Sequence, residues 1–281
     1  MPQPPVTRGG RRVDLHAHTL FSDGMLTPEA VVAHALERSL AALAITDHDS
    51  VEGVERARLA AGSALELVPG IEVSSSLDGA DLHILGYYVD PTDAGLLEAL
   101  ARFRDERLRR AQSMVERLEA LGAPVDFDEV VELAGPGVVG RPHVAEALLR
   151  AGHVETMDEA FRRFIGARGE AFVQRPSFRP ERAIDLIHAA GGVSVLAHPG
   201  AAVSDLVVEQ LAVAGLRGIE VWHPQHGAVA VRRFHALARR LDLLETGGSD
   251  FHGGPHGAQL GELPVPASVL GPLKRAAGVP G

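Results

Sequence analysis

The chain has 281 residues, of which 27 are Lys or Arg and 37 are Asp or Glu, so its formal net charge is −10 with histidine neutral. It contains 14 histidines and no cysteine, which excludes disulfide frameworks, cysteine zinc fingers, iron–sulfur clusters and cysteine nucleophiles. An acidic chain has no global field that attracts nucleic acid, so any phosphate binding must be local.

The first twelve residues are rich in Pro and Gly and lack the apolar core of a signal peptide. No apolar run approaches the roughly 20 residues that a membrane-spanning helix needs. We therefore expect a cytoplasmic protein without a membrane partner, and the sequence gives no sign of an obligate protein partner.

Strand and helix patterns alternate through the first third of the chain. Thr27 followed by Pro28 is typical of a helix N-terminus, and Asp49 forms a D-x-x-E capping box with Glu52. The apolar run 41–46 predicts a strand that is buried on both faces. The predicted elements are strands at 13–18, 41–46, 65–74 and 81–89, and helices at 27–40 and 49–61.

The middle of the chain, residues 91–169, is predicted to be mostly helical. Apolar residues spaced three to four apart between positions 94 and 121 indicate a long amphipathic helix, which Gly122 ends. We expect this region to be a helical insertion domain with its own small core. Its further predicted helices start at 126 and span 141–151 and 156–165.

The alternation of strands and helices resumes after residue 170. Repeated β–α units imply a parallel sheet, either open or closed into a barrel. We expect residues 13–90 and 170–260 to form this discontinuous barrel, with residues 1–12 and 261–281 as peripheral tails. The predicted elements are helices at 180–190, 205–214 and 228–241, and strands at 192–197, 217–222 and 243–248.

Side chains that can bind a metal ion lie at or near the ends of seven predicted strands. In a parallel α/β architecture these ends meet at one face, where active sites form. Imidazole and carboxylate together suit Zn, Mn, Fe and Ni. The segments are Asp14-Leu15-His16-Ala17-His18 with Ser22-Asp23-Gly24, Thr46-Asp47-His48-Asp49, Gly70-Ile71-Glu72-Val73-Ser74, Asp81-Leu82-His83, Ala197-His198-Pro199, His223-Pro224-Gln225-His226 and Gly248-Ser249-Asp250-Phe251-His252.

Structural roles stay open for some polar residues. Asp49 is as well explained by a helix cap as by metal binding, and Asp14 and Asp47 could orient ligating imidazoles instead of binding metal themselves. Four histidines away from the strand ends are expected to be ordinary surface or core residues, namely His34, His153, His188 and His235.

Four of these motifs, in this order, resemble the PHP (polymerase and histidinol phosphatase) domain. They are residues 14–18 with 22–24, residues 46–49, residues 197–199 and residues 248–252. The resemblance covers about residues 13–90 and 170–255, with the helical segment as an insertion. It implies a distorted (β/α)7 TIM-like barrel with a trinuclear metal centre at the carboxyl ends of the strands.

The resemblance also implies the substrate class and the metal ligands. Some relatives have histidine where this chain has Asp23, and an aspartate there resembles the branch that acts on nucleotides. That branch includes nucleoside 3′,5′-bisphosphate phosphatases and 5′→3′ exonucleases of short RNA. The implied ligands are His16, His18, Glu72 and Asp250 for one ion, Glu72 again with His83 and His198 for a second, and Asp23, His48 and His252 for a third.

Three clustered divalent ions suit phosphate ester hydrolysis, because a water that bridges two ions is acidified enough to attack phosphorus as hydroxide. A second phosphate on the substrate needs a cation, and the chain's single lysine, Lys274, lies in the tail, so arginine must bind it. Arg141 is our first candidate for this role. His226 is the candidate for binding the scissile phosphate or protonating the leaving group, and His223 and Arg175 are further substrate-binding candidates.

Other cationic residues receive weaker assignments. Arg179 and His256 are minor substrate-binding candidates. The arginine-rich stretch 102–110 is interpreted as the solvated face of an amphipathic helix, because acidic residues accompany it.

The sequence therefore predicts a metal-dependent phosphoric monoester hydrolase that removes the 3′-phosphate from nucleoside 3′,5′-bisphosphates. The prediction extends to short, single-stranded, 5′-phosphorylated RNA. The alternatives are a histidinol-phosphate phosphatase, against which Asp23 and the insertion argue, a non-catalytic metal-binding module, and a polymerase-associated proofreading factor. The metal stays open among Mn, Zn and Fe, because cellular supply decides between them.

Overall fold

The sheet of this protein is a nearly closed barrel in which neighbouring strands follow chain order. We describe it from a computed structural model that covers residues 12–201, 203–254 and 257–280. The main-chain N–H of Leu15 donates to the carbonyl of Gly247 at 3.1 Å, and Ala17 bridges Phe251 in parallel, so the last strand meets the first. The predicted distorted (β/α)7 barrel is therefore confirmed. Its strands are β1 Val13–Asp14, β2 Ala42–Ile45, β3 Glu66–Leu77, β4 Ala80–Tyr87, β5 Val193–Leu196, β6 Gly218–Trp222 and β7 Leu244–Gly247.

The helices follow the sequence patterns closely. Thr27 caps α1 as predicted, since its side chain accepts a hydrogen bond from Ala30 N. In the described part of the chain, no helix combines the length and the apolar character that crossing a membrane would require. The helices are α1 Pro28–Glu37, α2 Glu52–Ala61, α3 Ala94–Ala120, α4 Phe127–Ala134, α5 Arg141–Arg150, α6 Met157–Ala160, α7 Pro180–Ala189, α8 Asp205–Val213, α9 Ala228–Leu241 and α10 Leu270–Ala276, with a π-helical turn at Phe161–Ile165 and a 3₁₀ turn at Ala267–Val269.

The fourth strand runs opposite to its expected direction. β4 pairs antiparallel with both β3 and β5, whereas the other neighbouring strands pair in parallel. Asp78 and Gly79 connect β3 to β4 with φ of 50° and 84°, and an Asp-Gly pair with two positive φ angles favours a tight hairpin. The prediction of a wholly parallel sheet was wrong here. The start of β4, and not its end, therefore lies beside the carboxyl ends of the parallel strands.

The C-terminal stretch is part of the core and not the peripheral tail that we expected. Val265, Leu270 and Leu273 are buried in the cluster that fills the barrel interior, together with Val13 and Tyr87. The burial of these apolar side chains stabilises the folded position of the C-terminal stretch, although the surrounding sequence is rich in Pro and Gly.

The helical region has a core of its own, as its sequence pattern predicted. Helix α3 contributes to two clusters: Leu100 and Phe103 pack on the barrel side, whereas Met114 and Leu118 pack among α4, α5 and the π-helical turn. A single long helix thus connects the barrel to the helical region.

Two local predictions at the barrel mouth were wrong. β1 ends at Asp14, so His16 and His18 lie in the segment after the strand. Asp49 does not cap α2, whose N-cap is Val51 without a side-chain hydrogen bond. The carboxylate of Asp49 instead accepts hydrogen bonds from Ser74 N on β3 and from Arg107 on α3.

Candidate metal centre

The predicted ligand residues meet at one end of the barrel. Their backbones approach closely: a side chain at Gly248 would lie 2.3 Å from His16 N, so that position accepts glycine alone. His198 and Asp250 adopt positive φ angles of 24° and 51°, which turn the chain sharply after β5 and β7. The groups whose ligand atoms lie within 4.8 Å of one another are His18, Asp23, His48 and His252; His16, His18, Glu72 and Asp250; His48, Glu72 and His83; and His16, Glu220 and His223.

The carboxylate of Glu72 lies at the centre of this cluster and is fully buried. One oxygen faces the side chains from β4 and β5, and the other faces those from β1 and β2. The five distances to the histidine nitrogens are 2.8 Å for His83 and 2.9 Å for His198 to Oε1, and 3.0 Å for His16, 3.2 Å for His18 and 3.3 Å for His48 to Oε2. Glu72 thus contacts imidazoles on both sides of the cluster, as a bridging ligand would.

His83 enters the cluster because of the antiparallel hairpin. It lies opposite Ser74 in the β3–β4 register, two residues beyond Glu72. Had β4 run parallel, its starting residues would lie at the other end of the barrel. The sequence therefore placed His83 at this face on a wrong assumption about the strand direction.

The donor atoms fit divalent cations. Among the described residues, three buried atoms of the cluster have no hydrogen-bond partner: Nε2 of His18, Oδ1 of Asp23 and Nδ1 of His48. Nε2 of His18 lies 3.1 Å from Asp250 and 3.2 Å from Glu72, yet it aligns with neither as a hydrogen-bond donor. Lone pairs that converge without hydrogen bonds are the arrangement that ions of the imidazole- and carboxylate-binding class require.

The electrostatics of the cluster also favour added positive charge. Burial alone would lower the pKa of His18, but the carboxylates of Asp250 and Glu72, 3.1 and 3.2 Å from its Nε2, outweigh burial and raise that pKa to about 10. Burial would raise the pKa of Glu72, and the surrounding histidines hold it well below its usual range. The anionic form of Glu72 is therefore favoured, and a bound cation would neutralise it.

Asp14 and Asp47 hold the loops that carry the cluster. Asp14 accepts hydrogen bonds from the main-chain N–H groups of Ser249 and Gly261 at 2.9 and 2.8 Å. Asp47 accepts from the N–H and hydroxyl of Thr19 and from the hydroxyl of Ser22. Both carboxylates act on the loops and not directly on the imidazoles, in contrast to the role that we had left open for them.

Glu220 is a buried acidic residue that our reading of the sequence missed. It lies on β6, where its carboxylate is 3.1 Å from Nδ1 of His16 and accepts a hydrogen bond from His198 N at 2.8 Å. The signal was present in the sequence, since a single acid interrupts the apolar strand 218–222.

A cationic cavity of about 130 Å³ adjoins the cluster. Asp23, His48 and His83 of the cluster line it. Four arginines line it as well, namely Arg107, Arg110, Arg141 and Arg175. The proximity of these charges is visible in Arg110, whose pKa is lowered to about 10 by burial and by the neighbouring arginines.

Arg107 and Arg110 correct our interpretation of residues 102–110 as a solvated face. Arg107 is only 13% exposed and binds Asp49, and the Nε of Arg110 donates to the carbonyl of Val173 at 2.8 Å. Both residues project from α3 toward the barrel. Helical periodicity shows which residues share a face, but it could not show that a charged face would lie over the site.

The substrate-binding candidates divide into two groups. Arg141 and Arg175 line the cavity; Arg141 lies 3.1 Å from Asp81, and Arg175 donates to the carbonyl of Ser74 at 2.7 Å. Arg179 pairs with Glu181 on the surface. His256 lies outside the described residues.

His223 and His226 do not line this cavity within the described part of the chain. Nε2 of His223 lies 3.4 Å from Asp250, so its ring belongs to the histidine cluster. His226 is buried, and Gly200 N donates to its Nε2, while its Nδ1 donates to the carbonyl of Val221. With both nitrogens occupied, His226 is placed to hold the loop after His198 and not to protonate a leaving group.

Comparisons with known proteins place this geometry in context. The profile of the PHP domain matches residues 14–165. The chain is 38% identical over 268 residues to the 5′-3′ exoribonuclease Rnm of Escherichia coli (strain K12), an alignment that covers 92% of this chain and 91% of that protein. It is 35% identical over 271 residues to the 3′,5′-nucleoside bisphosphate phosphatase of Chromobacterium violaceum, covering 94% and 95%.

The similarity extends to a solved structure. A candidate metal-dependent phosphoesterase of Bifidobacterium adolescentis superposes with a TM-score of 0.89 at 33% identity, covering 98% of both chains. All three similarities span nearly the whole of each protein, including the helical region.

Proposed function

Because the chain belongs to the PHP domain family, we propose that it is a metal-dependent phosphoesterase that removes the 3′-phosphate from nucleoside 3′,5′-bisphosphates. The proposal extends to short single-stranded RNA with a 5′-phosphate, whose first nucleotide carries phosphate at the same two positions. The two curated relatives support it, one by its name as a bisphosphate phosphatase and the other as an exoribonuclease.

The observation that carries the proposal is the pairing of two anion-binding regions in one cavity. Asp23, His48 and His83 in its lining belong to the histidine–carboxylate cluster, and four arginines line the same cavity. A nucleoside 3′,5′-bisphosphate carries a phosphate at each end of one ribose. One phosphate can therefore lie at the cluster while the other lies among the arginines.

We propose that three divalent ions occupy the cluster. When bound, divalent ions supply an acidified water and neutralise negative charge on the phosphoryl oxygens. Mn, Zn and Fe all fit imidazole and carboxylate donors. The side chains proposed to hold them are His16, His18, Asp23, His48, Glu72, His83, His198, Asp250 and His252, with His223 as a further donor beside Asp250.

The arginines would bind and orient the phosphate that is not hydrolysed. Arg141 contacts Asp81 through Nη2, and this carboxylate is 52% exposed, so a phosphate can displace it. A guanidinium group binds phosphate with two parallel hydrogen bonds, which fix direction as well as position. Because Arg141 begins α5, we propose that residues 91–169 act as a separate domain that covers the site of the barrel formed by residues 13–90 and 170–260.

A substrate panel tests the proposal. Purified protein loaded separately with Mn, Zn or Fe would be assayed for phosphate release from 3′-phosphoadenosine 5′-phosphate, from a short 5′-phosphorylated RNA and from histidinol phosphate. We expect the highest kcat/KM for the bisphosphate. A higher value for histidinol phosphate would favour the alternative phosphatase, and no turnover of any substrate with any metal would favour a non-catalytic module.

A further inference from the structure

Asp49 joins the metal cluster to the arginine cavity. It directly follows His48, it is 1% exposed, and its backbone has a φ of 50°. Its main-chain N–H donates to the carbonyl of Glu72 at 3.0 Å. The backbone of Asp49 is therefore fixed against the centre of the cluster, while its side chain points away toward α3.

Both oxygens of the Asp49 carboxylate accept hydrogen bonds from residues that line the cavity. One oxygen accepts a hydrogen bond from Ser74 N at 2.8 Å. The other accepts from Nε and Nη2 of Arg107, at 2.9 and 2.6 Å, and lies 3.7 Å from Nη1 of Arg175. Ser74 completes the network, because its hydroxyl accepts from Arg107 at 2.9 Å and its carbonyl from Arg175 at 2.7 Å.

The Asp49 carboxylate offsets the repulsion between two buried arginines at the cavity. Arg107 and Arg175 are 13% and 12% exposed, and two buried guanidinium groups repel each other unless a counter-ion lies between them. The buried Asp49 carboxylate supplies that counter-ion. It fixes the plane of Arg107 through two hydrogen bonds, and it acts on Arg175 by charge and through Ser74, whose N–H donates to it and whose carbonyl accepts from Arg175. Asparagine in its place has a single acceptor oxygen, so its NH₂ group would face the N–H donors of either Arg107 or Ser74.

We propose that Asp49 is a positioning residue that orients Arg107 and Arg175 and so sets where the second phosphate binds relative to the metal cluster. This inference rests on the proposed function. Asp49 is then neither a metal ligand nor a helix cap, the two roles that the sequence left open. Asp49 would act on the affinity for nucleotide phosphate through the arginines, and not on the bond cleavage at the cluster.

A double-mutant cycle tests the inference. The holoenzyme and its Asp49→Asn, Arg107→Ala and doubly substituted forms would be titrated calorimetrically with adenosine 5′-monophosphate, and bound metal would be measured in each. We expect each single substitution to weaken binding roughly 10- to 100-fold, with unchanged metal content. The double variant should bind no more than about threefold more weakly than Arg107→Ala, since coupled residues are not additive.

A kinetic readout separates positioning from a general structural effect. With 3′-phosphoadenosine 5′-phosphate, Asp49→Asn should raise KM while kcat changes by no more than about threefold. Asp205→Asn is the matched control, because it removes a carboxylate from an Asp–Arg pair on α8 and α9, and it should bind the nucleotide as the unmodified chain does. Should Asp49→Asn not fold, Arg107→Lys tests the same network, since lysine keeps the charge but lacks the fork that contacts both Asp49 and Ser74.

Three outcomes would overturn the inference: nucleotide binding by Asp49→Asn that equals that of the unmodified chain, full additivity of the two substitutions, or loss of metal as the main effect of Asp49→Asn. An unmodified chain that binds no adenosine 5′-monophosphate would also overturn it. If the unmodified chain fails to hydrolyse the bisphosphate but the coupled loss of binding is observed, the proposed function fails and the role of Asp49 stands.

Discussion

The carboxylate of Glu220 lies 3.1 Å from Nδ1 of His16, on the side of the imidazole opposite Glu72, which lies 3.0 Å from Nε2. A proton on Nδ1 can therefore be donated to Glu220, which leaves the lone pair of Nε2 directed into the cluster. A carboxylate behind a ligating histidine orients the ring and increases its basicity. We therefore assign to Glu220 the role of orienting the imidazole ring of His16.

Replacing Glu220 with glutamine should therefore weaken metal binding by about 10- to 100-fold. The check is a metal titration followed by mass spectrometric metal analysis. Glu209→Gln is the control, because Glu209 pairs with Arg240 on an exposed surface. Equal metal affinity in the Glu220→Gln variant and the unmodified chain would contradict the role given to Glu220.

His198→Ala should remove activity on all substrates of the panel. Its Nε2 lies 2.9 Å from Glu72, so the substitution deletes a proposed ligand next to the bridging carboxylate. We expect kcat/KM to fall by more than about 100-fold, the upper end for groups that only orient a ligand. His153→Ala on the helical region serves as the control, and substantial activity in His198→Ala would contradict the proposed centre.

Arg141→Ala should affect phosphate binding by the arginines and leave the metal cluster intact. Removing its guanidinium group takes away charge-assisted hydrogen bonds to the second phosphate, so KM for the bisphosphate should rise by roughly 10-fold or more. Arg150→Ala is a control on the same helix, because Arg150 is exposed and pairs with Glu146. Steady-state kinetics on both variants would decide, and equal KM values would exclude Arg141 from the phosphate site.

The C-terminal stretch offers a test of the fold. Leu273 is fully buried in the cluster that includes Val13 and Tyr87 of the barrel, so Leu273→Ala should lower the free energy of unfolding by about 2–5 kcal/mol. Val213→Ala, at a position that is 91% exposed, should leave it nearly unchanged. Chemical denaturation measures both, and a negligible effect of Leu273→Ala would show that the stretch is peripheral after all.

The sequence predicted the barrel and the residues of the cluster because both depend on local patterns. Apolar strands alternate with amphipathic helices, and most of the polar side chains that assemble in the cluster lie in loops that follow strands. His16, His48, His198 and Asp250 lie in the loops that follow β1, β2, β5 and β7. Asp78-Gly79 is a strong hairpin signal, which our prediction did not use.

The remaining features depend on contacts between distant parts of the chain. Asp49 fits a capping box by spacing, yet Arg107, 58 residues away, binds its carboxylate. Glu220 and His16 are 204 residues apart. His226 is of a residue type common in catalysis and follows a strand, as a catalytic residue would. Only the structure shows that both of its ring nitrogens are hydrogen-bonded to main-chain groups, those of Gly200 and Val221. Sequence spacing alone carries no information on such pairs.

The regiochemistry of hydrolysis tests the central claim most directly. The metal-loaded protein would be incubated with 3′-phosphoadenosine 5′-phosphate, and the products would be separated by chromatography and identified by ³¹P NMR. A cluster that cleaves one phosphate while the arginines hold the other predicts adenosine 5′-monophosphate and inorganic phosphate. Release of adenosine 3′-monophosphate, or no phosphate release with any of the three metals, would contradict the claim.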